Sequence, residues 1–275
     1  MKKNLATFST FITAILFFTG CHKVADLPYY NNGTAVTLTA SKASLTPTPA
    51  DSATAVLTLN WTFPNYATDS ANMKYVVEID STGKNFSKEV TKAITKNLNA
   101  TFTGRELNTI LLNFGYSLGT PVKLDMRVIS SYANNNERHV SNIVQVSITP
   151  YSDPSKLTTE NTSVTGTAAT SSTHSNTFSW SPSFPGYSGT VSYVIQYDSA
   201  GKNFVSPLQI AGYGGTSVYS ASLNQGDMNT TALASGVAVG STGKVEYRVK
   251  ATTAGGAVAY SNVVNVSITT FSPVP

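Results

Sequence analysis

Hydrophobic and polar positions alternate along much of this 275-residue chain in short runs. In LTLNW, which ends at Trp61, the residues Leu57, Leu59 and Trp61 share one face while Thr58 and Asn60 share the other. Tyr75, Val77 and Ile79 likewise oppose Val76 and Glu78. Side chains alternate across a strand, so each run predicts a strand with one largely apolar face. Runs rich in Val, Ile, Thr and Tyr are separated by clusters of Gly, Asn, Asp and Pro. That spacing predicts an all-β chain of antiparallel strands in a sandwich and not βαβ units.

One segment departs from the period of two. Thr103 and Glu106 have capping-box spacing, Leu107, Ile110, Leu111 and Phe114 recur at helical intervals, and Gly115 can end the helix. The corresponding residues further on are Asn224, Asp227, Met228, Thr231, Ala232, Ser235 and Gly236, with the caps kept and the apolar face thinner. Each helix is expected to plug one end of a sandwich, the second less firmly packed.

That correspondence is part of an internal repeat at a spacing of about 120 residues. YVVEIDSTGKNF at 75–86 returns as YVIQYDSAGKNF at 193–204 with eight of twelve positions identical. LTLNW matches NTFSW ending at Trp180, LDMRVIS around Arg127 matches VEYRVKA around Arg248, and SNIVQVSIT from Ser141 matches SNVVNVSIT from Ser261. Two copies of one domain are expected at about 36–150 and 160–275, joined by a polar linker, PYSDPSKLTTE. In the shared turn, Asp80 and Asp198 can accept from backbone amides, while Gly83 and Gly201 can take positive φ before Lys-Asn-Phe restarts the next strand. DSTGKN lacks the carboxylates of a calcium loop, and GSTGK at 240–244 lacks the first glycine and the Ser/Thr of a phosphate loop.

The N-terminal pattern is different again. Lys2 and Lys3 precede an apolar stretch from about Leu5 to Phe18, then Thr19, Gly20 and the single cysteine, Cys21. A basic start, a short apolar run and small residues predict a secretory signal over 1–20, too short to span a bilayer. Residues 21–35, with a proline and an Asn-Asn-Gly turn, read as a tether. With one cysteine there can be no intrachain disulfide.

Composition narrows the chemistry. Charged residues make up 12% of the chain, and its 18 basic residues, two of them in the leader, face 14 acidic ones. No basic run is interleaved with aromatics, which sets nucleic acid aside. The histidines, His22, His139 and His174, have no repeated counterparts, and no GxSxG, HExxH or CxxC appears. No enzyme activity, cofactor or metal is expected. Sugar binding uses aromatic platforms with polar rims, because pyranose faces are apolar and their edges are hydroxyls. Trp61 and Trp180 fall on the apolar phase of their strands and are assigned to the cores. The loop candidates are Tyr132, Asn134, Asn135, Asn136 and Arg138 in SYANNNERHV, and Tyr213 and Tyr219 in GYGGTSVY.

The order LxW, YxVxxD, RVxA and SNxVxVSI resembles strands B, C, F and G of fibronectin type III domains. Thr19-Gly20-Cys21 is similar to the lipobox of bacterial lipoproteins, and with LTLNWTFPNY, VEIDSTGKNF and ELNTILLNFGYSLGTP the chain resembles the SusE family of Bacteroidetes outer-membrane lipoproteins, in both copies. The resemblance implies lipidation of Cys21, two tandem immunoglobulin/fibronectin type III-like sandwiches, and a surface lipoprotein that works beside a SusC/SusD-like importer. Its expected partners are that importer and a polysaccharide or oligosaccharide; the alternative is a spacer or protein-interaction module without sugar affinity. The carbohydrate-binding modules of starch-binding members are replaced here by a second N-terminal-type copy, so no sugar contact carries over by position. Asp-Ser-Ala and Asp-Ser-Thr at Ser52, Ser70, Ser81 and Ser199 fit an O-glycosylation pattern of the same phylum.

Overall fold

The computed structural model describes residues 31–66 and 72–273; the expected leader, Cys21, the first part of the tether and Ser70 lie outside them. Two β-sandwiches follow one another along the chain. The first contains β1 (Leu38–Ala40), β2 (Ser44–Leu45), β3 (Ala55–Trp61), β4 (Met73–Ser81), β5 (Val90–Thr95), β6 (Asn99–Thr103), α1 (Gly104–Asn113), β7 (Val122–Tyr132), β8 (His139–Val140) and β9 (Val144–Ile148). The second repeats the order with β10 (Leu157–Thr159), β11 (Ser163–Thr165), β12 (His174–Trp180), β13 (Val191–Ser199), β14 (Leu208–Gln209), β15 (Gly215–Thr216), β16 (Ser220–Asn224), α2 (Gln225–Ala234), β17 (Thr242–Thr253), β18 (Val258–Tyr260) and β19 (Val264–Thr269). In each, a three-stranded sheet, β1-β3-β6 or β10-β12-β16, faces a larger one, β2-β9-β7-β4-β5 or β11-β19-β17-β13-β14. This is the immunoglobulin/fibronectin type III-like arrangement. Among the described residues no helix is long and apolar enough to cross a membrane.

Each domain has its own core, and the alternating residues line it. Leu57, Leu59, Trp61, Tyr75, Val77 and Ile79 lie in the first cluster, and Phe178, Trp180, Tyr193 and Ile195 in the second. Both tryptophans are core residues, as their phase predicts. α1 keeps its capping box, with the Thr103 hydroxyl accepting from Glu106 N and Glu106 accepting from Thr103 N at 2.7 Å; Leu107, Ile110 and Leu111 are buried beneath it.

Four expectations need correction. The sandwiches are not purely antiparallel: β2 pairs with β9, and β11 with β19, in parallel. The first strand of each domain crosses from one sheet to the other between β1 and β2, or β10 and β11, and so meets the last strand running in its own direction. Lys-Asn-Phe does not begin a strand, because Asn85, Phe86, Asn203 and Phe204 all have positive φ and β5 starts only at Val90. Leu157–Thr159 belongs to the second sandwich and not to the linker, since β10 pairs with β12 and Leu157 is buried. α2 is not loosely packed: Met228 and Ala232 are fully buried. Its smaller side chains are offset by larger ones opposite, Tyr197 and Tyr247 standing where the first domain has Ile79 and Met126.

The repeated motifs have structural work to do. Asn142 holds both backbone groups of Leu38, and Asn262 those of Leu157, at 2.8 and 3.0 Å in each case. The preceding serines, Ser141 and Ser261, accept from Val128 N and Val249 N. Arg127 lies 3.9 Å from the Phe86 ring centre and bonds Glu78 at 2.7 Å; Arg248 lies between Phe204 and Tyr260 and bonds Gln196 at 2.9 Å. The positive-φ turn thus delivers a phenylalanine onto an arginine, a cation–π stack.

Candidate functional site

The β7–β8 hairpin carries Tyr132, Asn134, Asn135, Asn136 and Arg138. Tyr132 is not a loop platform: it is 8% exposed, its ring is 4.6 Å from that of Tyr66, and its hydroxyl donates to Asn31 O at 2.8 Å. It closes the core at the strand's end, because β7 continues through Ser131 and Tyr132, two residues into the stretch the sequence reads as hairpin, and pairs there with Lys74 and Met73. The amides are engaged in building the turn. Asn134 Oδ1 accepts from Asn136 N, while Asn135, at φ 68°, accepts from Lys74 Nζ at 3.0 Å. Arg138 is exposed.

In the second domain Tyr213 is also a brace. It packs against the core, and its hydroxyl donates to Asp227 Oδ2 at 2.6 Å, a bond that raises its pKa above the ordinary phenolic value. Tyr219 is different, at 41% exposed and held edge-on against Tyr193 with ring centres 5.4 Å apart. It lines a cleft of about 280 Å³ with Phe184, Tyr187, Tyr193, Thr216 and Ser217. The cleft is locally prepared. Gly255 N donates to Tyr187 Oη, Ser183 N donates to Tyr193 Oη, and Ser217 turns the chain at φ 59°. Gly189 permits the Tyr187 ring to lie close, since a β-carbon there would fall 2.7 Å from it. Tyrosine rings with serine and threonine hydroxyls at the rim form the kind of surface that suits a sugar ring.

The sequence points to Tyr219 but misses Tyr187. The signal was the repeat: Phe184-Pro185-Gly186-Tyr187 corresponds to Phe63-Pro64-Asn65-Tyr66. In the first domain the matching Tyr66 is 3% exposed, pressed against Tyr132, with its hydroxyl donating to Glu137 O. The same tyrosine therefore closes one domain and lines an opening in the other.

A larger cleft of about 710 Å³ lies between the domains, bounded by Val90, Lys92, Phe102, Arg105, Glu106, Ile110 and the Pro185–Gly186 turn. Its floor is apolar and its charges are already paired: Lys92 with Glu106 at 2.9 Å, Arg105 with Asp153 at 3.4 Å. Burial alone would raise the Glu106 pKa, but the bonds from Lys92 and Thr103 outweigh it and hold the carboxyl below its ordinary value. With an apolar floor and its charged groups already paired, this cleft suits hydroxylated ligands less than the Tyr187/Tyr219 cleft does.

One hydrogen-bonded chain has the order of a nucleophilic triad. Ser222 Oγ lies 2.9 Å from His174 Nδ1, and His174 Nε2 lies 3.0 Å from Glu160 Oε2. Ser222 sits within β16 opposite Thr177 of β12, on an exposed stretch of sheet. Ser222 stands on a regular edge strand, whose successive amides point alternately to opposite sides and so do not converge on an oxyanion beside the serine, which is what acyl transfer requires. Among the described residues no three His, Cys, Asp or Glu side chains gather as metal ligands.

The comparisons with known proteins agree with the repeat. A family model described as "SusE outer membrane protein" matches residues 24–129 and again 141–250. A search of curated proteins finds no match. Similar solved structures include the chicken CNTN1 FN1–FN3 domains, at 12% identity over 87% of this chain and 68% of that one, with a TM-score of 0.26. The fibronectin(III)-like modules of Clostridium thermocellum CbhA align at 13% identity over 86% and 94%, with a TM-score of 0.24. Matched twice and over most of its length, the chain belongs to the SusE outer membrane protein family, and with it to the accessory proteins of the outer-membrane Sus system.

Proposed function

We propose that this protein is a non-enzymatic, lipid-anchored and surface-exposed accessory of a SusC/SusD-like importer that holds an oligosaccharide segment in the Tyr187/Tyr219 cleft. The observation that carries the reading is the half-exposed Tyr219 ring in a hydroxyl-rimmed recess. Cys21 supplies the anchor in this reading.

The test is affinity electrophoresis and calorimetry of residues 22–275 against plant, host and microbial polysaccharides. Saturable binding that weakens at least tenfold in Tyr219→Ala and Tyr187→Ala, about 1.4 kcal/mol, but is unchanged in Asn135→Ala, supports the cleft. Binding that survives both tyrosine substitutions refutes this site. Silence across the panel favours the second reading, a rigid spacer that docks to the importer, which the hydrogen-bonded junction between the domains supports.

A further inference from the structure

The junction between the two domains is built on α1. Asn108 holds both backbone groups of Tyr151, at 2.8 and 2.9 Å, as the chain leaves the first sandwich. Thr109 donates to Pro185 O, and Asn113 accepts from Ser188 N and Oγ. Leu112, 5% exposed, joins the buried cluster of the second domain together with Phe184, and Leu118 packs beside them. A first-domain helix thus receives the Phe184-Pro185-Gly186 turn of the domain that follows.

The repeat reproduces both halves of this joint at the two outer ends of the molecule. At one end, Asn229 holds both backbone groups of Phe271 as Asn108 holds Tyr151. Leu233 and Val239 stand where Leu112 and Leu118 stand, yet Leu233 is only half-buried and Val239 is 57% exposed. At the other end, the Phe63-Pro64 turn matches Phe184-Pro185, yet Phe63 is 43% exposed where Phe184 is 3% exposed. Among the described residues, one end is a helix face without a turn upon it and the other is a turn without a helix face. Asn65 replaces Gly186, whose missing β-carbon would lie 3.1 Å from Thr109, and Thr230 keeps the threonine at that place; Gly226 and Ala234 replace Arg105 and Asn113, which clears the helix face on either side of it but removes the acceptor for the Ser188 hydrogen bonds.

We infer that the α2 end of one chain receives the Phe63 turn of a second copy, extending head to tail the joint that already links the two domains. Such a contact is heterologous, with different surfaces on the two partners, so it can propagate beyond a dimer. Its area is that of a single turn on a helix face, which places it among weak, concentration-dependent associations. It is independent of the sugar cleft, which neither end includes.

Sedimentation velocity of residues 22–275, from about 1 µM to about 1 mM, reads the result. The average mass should rise with concentration, and Phe63→Asp and Val239→Asp should each remain monomeric alone. Mixed together, the two variants should form dimers and stop there, because one retains the helix face and the other the turn. Both positions are exposed, and circular dichroism establishes that the variants fold. Wild-type chain that stays monomeric throughout overturns the inference, as does self-association that survives either substitution.

Discussion

Tyr247 Oη donates to Thr231 Oγ1 inside the second core, at positions that Met126 and Ile110 occupy in the first. The direction follows from valence: the single Thr231 proton goes to Met228 O at 2.8 Å, so the tyrosine supplies the other. Burial pushes the Tyr247 phenol well above its ordinary pKa, so it stays protonated.

This direction makes the two deletions unequal. Tyr247→Phe leaves the threonine bonded to Met228 and should cost about 1 kcal/mol, whereas Thr231→Val strands a buried phenolic donor at about 1–3 kcal/mol. The double variant should cost less than the sum, which urea titration of all four proteins would measure.

The two arginine stacks should also respond unequally. Arg127 neutralises Glu78, which is 6% exposed, while Arg248 faces the neutral Gln196. Arg127→Met leaves a buried carboxylate unpaired and should destabilise by about 3–5 kcal/mol. Arg248→Met loses a stack and one hydrogen bond and should cost about 1–3 kcal/mol. Thermal unfolding ranks them, and equal losses would contradict the assignment of charge.

Glu106 gives α1 an acid-sensitive cap. Its folded pKa lies below the ordinary 4.5, so the stabilisation is complete above that value and is lost as pH falls through the folded one. Glu106→Gln should therefore be less stable than wild type at neutral pH, by about 1 kcal/mol or less, and should converge with it once the pH falls well below the folded pKa. A constant difference across that range would show that the charge is not involved.

The Asn108 clamp should govern how rigidly the domains are joined. Asn108→Ala frees both backbone groups of Tyr151 and should cost about 1–3 kcal/mol. Small-angle scattering should show a broader distribution of lengths, and proteases should cut more quickly near Asp153. Asn229→Ala, the same change in the second domain, should loosen only the segment around Phe271 and leave the distance between domains unchanged.

Much of this architecture is written in local patterns. The period of two in Leu57, Leu59 and Trp61 sends both tryptophans inward, because a strand has only two faces. The Thr103–Glu106 and Asn224–Asp227 pairs mark both helix starts, because orphan amides there need acceptors within three residues. The repeat and the family follow from the order of such motifs.

What only the tertiary structure decided is which equivalent residues end up covered. Phe63 and Phe184 precede the same proline, yet one faces solvent and the other a neighbouring helix. Tyr66 and Tyr187 follow the same turn, yet one seals a core and the other lines a cleft. Tyr132 reads as a loop aromatic until Asn31, a hundred residues earlier, is placed against its hydroxyl. Strand phase is a property of adjacent residues and can be read along the chain; exposure at a domain's ends depends on segments distant in sequence, and no local period encodes them.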